Sequence, residues 1–310
     1  MDKLHIYNPN PSSSRANMVE HAEAVSGVAA EGNLRRLTEA LISRELAAEL
    51  GTGAMLDSVR QGHAATLAHL RNIAVLEGRV LEMLIAEIAK TKPTNLVLRG
   101  GICLPVSAAA LELVERNSPE ALAPLSLSAD HTTRRGYTPD LIVVDRSTGA
   151  ALIIDVKRTV VSYDAARLSA LKTRMLAAGL ALPDYLYREQ NRLSVSRVDV
   201  AVLAMDDRKS DADQGIWPIT RLDELLDAAG AADAVTHLRK RVADMTDEAW
   251  RSAIGQLTAV PAESRQLVPT SITELGRFVN DDFVPTPAEP VMPRSGVSFG
   301  FARARPVAAH

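Results

Sequence analysis

Asp140, Asp155 and Lys157 are the side chains of this 310-residue chain best placed for chemistry. They lie on two neighbouring apolar runs, Pro139 to Asp145 and Ala151 to Arg158, joined by the turn-forming Arg146-Ser147-Thr148-Gly149. Alternation along a strand projects Asp155 and Lys157 from one face and leaves the Val156 carbonyl between them. A hairpin closed through the turn then brings Asp140, at the start of the first strand, beside Asp155, near the end of the second. Asp140, Asp155 and the Val156 carbonyl form an oxygen donor set suited to magnesium, with manganese as a substitute. A hard cation held there would neutralise a phosphodiester and lower the pKa of a bound water. Lys157 would orient that water or stabilise charge developing on the phosphate. Its carboxylate neighbours raise its pKa and a cation lowers it, so a general-base role requires the metal.

A plainer account makes Asp140 a turn residue after proline and Asp155 the surface partner of Lys157. Asp-x-Lys alone is common. A second copy, Asp207-Arg208-Lys209, lies in a polar loop with no strand to support it. Asp155 differs because it interrupts the apolar run Ala151 to Ile154, continued by Val156 and then Val160-Val161. A charge set in such a run is unfavourable unless it is paired or ligated.

The elements that must hold these groups follow from periodicity. Ala16 to Thr91 carries apolar residues at three and four spacing and is expected to form successive helices, broken near Gly32 and at Gly51-Thr52-Gly53. Strands are expected at Asn95 to Leu98 and Ile102 to Leu104, followed by a helix from Ser107 to Arg116. After the hairpin come a helix from about Asp164 to Ala178, a strand from Val198 to Ala204, and helices from Leu222 onward. This order predicts an α/β chain, with a helical N-terminal extension over 1–62, an α/β core over 63–220, C-terminal helices over 221–280 and a loose tail over 281–310.

Pro139-Asp140 on one strand and Asp155-Val156-Lys157 on the next resemble the PD-(D/E)xK phosphodiesterase superfamily, over about Ile73 to Met205. The resemblance implies a restriction-endonuclease-like mixed sheet flanked by helices, magnesium dependence and a nucleic-acid substrate. It also implies a glutamate on the helix before the sheet. Glu77 falls on the stripe of Leu70, Ile73, Leu81, Leu84 and Ile88, whereas Glu82 lies off it. An inward glutamate needs a partner, either an arginine or a metal-linked water. Glu115 takes the role of Glu77 if the helix from Ser107 to Arg116 is the first core helix.

Net charge is −3, which excludes coating of nucleic acid by bulk electrostatics. Between His131 and Arg174, however, eight basic residues face four acidic ones. Arg167 and Arg174 are seven apart and share a helix face suited to phosphate contacts. Arg134 and Arg135, with Tyr137, could clamp a strand or stack on a base, and Arg158 directly follows Lys157. The single cysteine, Cys103, reads as buried filler and excludes an intrachain disulfide. No run reaches the ~18 apolar residues of a membrane span, and the polar start resembles no secretion signal, so a cytoplasmic protein is expected. These readings point to a magnesium-dependent nuclease acting on DNA. The alternative is a non-cleaving DNA-processing or assembly protein that uses the helices for partners, which could also pair two copies of the chain.

Overall fold

Strands that alternate apolar side chains between two faces require a covering layer on each. The computed structural model describes residues 31–122, 125–129, 136–158, 160, 163–206, 210–259 and 298–301. The described residues open with helix α1 (31–45). There follow α2 (Thr52–Arg60), α3 (His63–Lys90), β1 (Asn95–Arg99), β2 (Leu104–Pro105), α4 (Ala108–Arg116) and α5 (Pro119–Leu122). The central part holds β3 (Gly136–Tyr137), β4 (Leu141–Asp145), β5 (Ala150–Lys157), α6 (Ala165–Glu189) and β6 (Arg197–Ala204). The described residues end with β7 (Ile216–Pro218), α7 (Leu222–Leu226), α8 (Ala231–Thr258) and β8 (Ser298–Phe301).

The main sheet has the order β1-β4-β5-β6-β7, with β8 also paired to β6. β1 and β5 each run antiparallel to β4, which lies between them, while β5 and β6 run parallel, with α6 lying between them in the sequence. This makes the protein an α/β chain with a mixed sheet. Leu141, Val143, Ile154 and Leu203 face a layer built from α1, α2, α3 and α8. Ile142, Val144, Ile153 and Val200 face the other way, onto α4 and α6. No described helix is long and apolar enough to cross a membrane.

The hairpin turn falls where expected. The Asp145 carboxylate accepts from the Ser147 N–H at 2.9 Å, and the Gly149 N–H donates to the Asp145 carbonyl at 2.8 Å. The break expected at Gly51-Thr52-Gly53 falls at Gly51, the N-cap of α2, and a further one comes at Gly62, between α2 and α3. α6 continues past Ala178 to Glu189, through Gly179 and Pro183, because residues 175–183 are buried and packing outweighs their poor helix propensity. α1, α2 and α8 share one apolar layer with the sheet. Within the expected tail, Ser298–Phe301 pairs with β6. Cys103 is exposed rather than buried filler, its Sγ over Gly136 where a Cβ would collide.

Candidate functional site

The β4–β5 register pairs Leu141 with Ile154, which sets Asp140 just before β4 near the last residues of β5. The Val156 N–H donates to Asp140 Oδ2 at 2.6 Å, joining the two strand ends through one carboxylate. A strand residue directs its N–H and C=O to the same edge, so the Val156 carbonyl also faces the Asp140 side. Asp155 is 4% exposed, so the strand has carried a carboxylate into the interior. Its Oδ2 accepts from the Tyr137 hydroxyl at 2.7 Å. Its Oδ1 is buried, pairs as an ion with Lys157 Nζ, and accepts no hydrogen bond of ordinary geometry.

The three expected residues Asp140, Asp155 and Lys157 are thus brought together, and their electrostatics are strained. Burial holds the Asp140 carboxyl above its ordinary value; the Val156 N–H lowers it, Asp155 raises it and Lys157 lowers it. Burial opposes the Lys157 charge, but Asp155, then Asp140 and Tyr163, outweigh it and hold the ammonium above the usual lysine range. Tyr137 is raised by burial and by Asp155, so its hydroxyl stays protonated and can only donate to that carboxylate.

Glu77 goes elsewhere. Its Oε2 pairs with Arg158 at 3.0 Å and its Oε1 with Arg239 at 3.8 Å. The arginine-paired form of an inward glutamate is the one observed, and Arg158 is drawn toward α3, where it also donates to the Ala74 carbonyl at 3.4 Å. Glu82, also on α3, is half-buried, and its carboxyl responds to the charges of Asp140 and Lys157. Burial raises its pKa, Asp140 raises it further, and Arg99, Lys157 and Arg79 pull it down. Glu115 is exposed on α4.

Two residues near Asp140 and Asp155 were set aside or given another role in the sequence argument. Glu82 sits in Val80-Leu81-Glu82-Met83-Leu84-Ile85-Ala86, where apolar residues occur at every helical phase, and that was its signal. Tyr137, expected to stack on a base, is 6% exposed and committed to Asp155. Arg167 and Arg174 are exposed on α6, and the Arg174 charge is felt at the Tyr137 hydroxyl. Arg134, Arg135, His131 and the second Asp-x-Lys, at 207–209, lie outside the described residues.

The donor set suits a hard cation by its chemistry. Asp140 and Asp155 supply carboxylate oxygens, one of them the buried Oδ1 without an ordinary hydrogen bond, and the Val156 carbonyl supplies a third donor. Among the described residues no three His, Cys, Asp or Glu side chains converge into a ready-made metal cluster, so an ion here would complete its shell with waters. Comparison with family models, curated proteins and solved structures gives no match.

Proposed function

We propose that the protein is a magnesium-dependent nuclease that hydrolyses phosphodiester bonds of DNA. One observation carries the proposal: Asp140, Asp155 and Lys157 meet at one end of the β4–β5 pair, tied together through the Val156 N–H. The order α3, β1, β4, β5, α6, β6, antiparallel up to β5 and parallel across α6, supports the restriction-endonuclease-like reading of the fold.

Asp140, Asp155 and the Val156 carbonyl would hold the ion, and Glu82 would hold a water of its shell. When bound, magnesium supplies charge neutralisation for the scissile phosphate and a lowered pKa for the attacking water. Lys157, kept charged by its carboxylate neighbours, places positive charge against the phosphate oxygens and acts as an electrostatic group rather than a base. Tyr137 fixes the Asp155 carboxylate through Oδ2, so Oδ1, paired with Lys157, is the oxygen that would be shared with the ion. Exposed Arg167 and Arg174 would contact flanking phosphates.

The test is cleavage of linear, nicked and single-stranded DNA with Mg²⁺ or Mn²⁺, beside Asp155→Ala. Metal-dependent cleavage lost in the variant is expected. A wild-type protein that cleaves nothing, and so cannot be told from Asp155→Ala, refutes the proposal. The close Lys157–Asp155 ion pair favours a second reading, a non-cleaving DNA-processing or assembly protein, because it commits the ammonium to a carboxylate. DNA binding that survives Asp155→Ala and Lys157→Ala without metal affinity would select it.

A further inference from the structure

The residues where β1 leaves the sheet have no role in the site so far. β1 ends at Arg99, whose register partner is Leu141, so extending the register by one residue sets Gly100 beside Asp140. Gly100 and Gly101 both take positive φ, 68° and 72°, a conformation in which other residues are strained. Both are exposed, and a Cβ built on either would meet nothing within 4 Å. The backbone here is bare and faces open space beside an acidic residue. Glycine at such a point lets another backbone approach closely.

Arg99 completes the corner. Opposite residues of an antiparallel pair share a face, so Arg99 stands on the Leu141 face, the one that α3 covers. Arg99 is exposed and has no ion pair among the described residues, and Glu82 on α3 feels its charge. Arg79, also exposed on α3, adds a second cation on that side. Three carboxylates, Asp140, Asp155 and Glu82, would repel a polyanion approaching without such a counterweight.

We propose that the Arg99-Gly100-Gly101 corner is a rest for the sugar-phosphate backbone of the DNA strand entering the site, held by the Arg99 guanidinium and by close approach to the bare glycine backbone. This rests on the nuclease reading of the same site and deepens it. The contact reads phosphate and not base, so duplexes of different sequence bind it alike.

The test is binding of fluorescein-labelled mixed-sequence duplexes to the full chain in EDTA, by anisotropy across a salt series, with metal-dependent cleavage measured in parallel. Arg99→Gln is expected to weaken binding roughly tenfold and to reduce the slope of log affinity against log salt by about 1. Its melting temperature should match wild type, because Arg99 is exposed. Arg99→Lys should retain the slope. Wild-type affinity and slope in Arg99→Gln overturn the inference, even if the protein cleaves DNA. A weakened Arg99→Gln in a protein that never cleaves supports the inference and removes the nuclease reading instead. A wild-type chain that binds no duplex at low salt overturns the inference.

Discussion

Two charged clusters flank the end of β5, and they are balanced in opposite ways. Around Glu77 one carboxylate meets two guanidiniums, from Arg158 and Arg239, both partly open to water. Around Asp155 the carboxylates of Asp140 and Glu82 are pushed up by burial, and the central cation, Lys157, is already held by Asp155. The first cluster is satisfied and braces the strand end against α3 and α8. In the second, burial disfavours the charged carboxylates, which a bound hard cation would favour. The sequence favoured Glu77, in the first cluster, as the catalytic glutamate; the proposed function uses Glu82, in the second.

The largest effects should come from breaking the strained cluster. Asp155→Ala and Asp140→Asn are each expected to lower Mg²⁺-dependent cleavage at least about 10³-fold in single-turnover assays, since removing one member of a concerted set disables it. Residual activity within tenfold of wild type would contradict this.

The comparison sharpens with paired glutamate variants. Glu82→Gln should raise the Mg²⁺ concentration needed for half-maximal cleavage by roughly 10–100-fold, the usual effect of losing an outer ligand-orienting group. Glu77→Gln should leave that requirement alone and instead lower stability by about 1 kcal/mol, a small figure because both arginines remain solvated. Metal titrations beside denaturant melts separate the two. A reversed pattern would return the role to Glu77.

A smaller effect concerns the metal-free protein. Asp140 and Glu82 are both raised, so the folded state holds their protons more tightly than the unfolded state. Stability should therefore fall as pH rises from the ordinary carboxylate range, about 4, through the raised values, and be unaffected by these groups below both. Asp140→Asn should then raise the melting temperature in EDTA at neutral pH by roughly 2–4 °C, and added Mg²⁺ should stabilise only the wild type. The smallest effect is expected for Arg174→Ala, a few-fold loss of DNA affinity at low salt, because Arg174 would contact only a flanking phosphate.

Much of the positioning of the Asp140–Asp155–Lys157 group was legible in the sequence, because strand alternation and a four-residue turn fix it locally. The glutamate was not legible in this way. Phase arguments assume a narrow buried stripe, which holds for the first half of α3, where Ile73 and Glu77 are buried. In the second half Val80, Leu81, Leu84, Ile85, Ala86, Ile88 and Ala89 are all buried. There α3 is enclosed by the sheet and α8, and even an off-stripe Glu82 meets protein. Likewise Gly179 and Pro183 suggested a helix end, and only the packing of α6 on the sheet explains its continuation. The burial of Tyr137 depends on β3 pairing with β2, a contact between distant segments.

The measurement that tests the central claim most directly is DNA cleavage by the full chain across EDTA, Ca²⁺, Mg²⁺ and Mn²⁺, run beside Asp155→Ala and Glu77→Gln. The account predicts cleavage with Mg²⁺ or Mn²⁺, none in EDTA, none in Asp155→Ala, and near-wild-type rates in Glu77→Gln. Absence of cleavage under every metal, or cleavage that persists in Asp155→Ala, would contradict it.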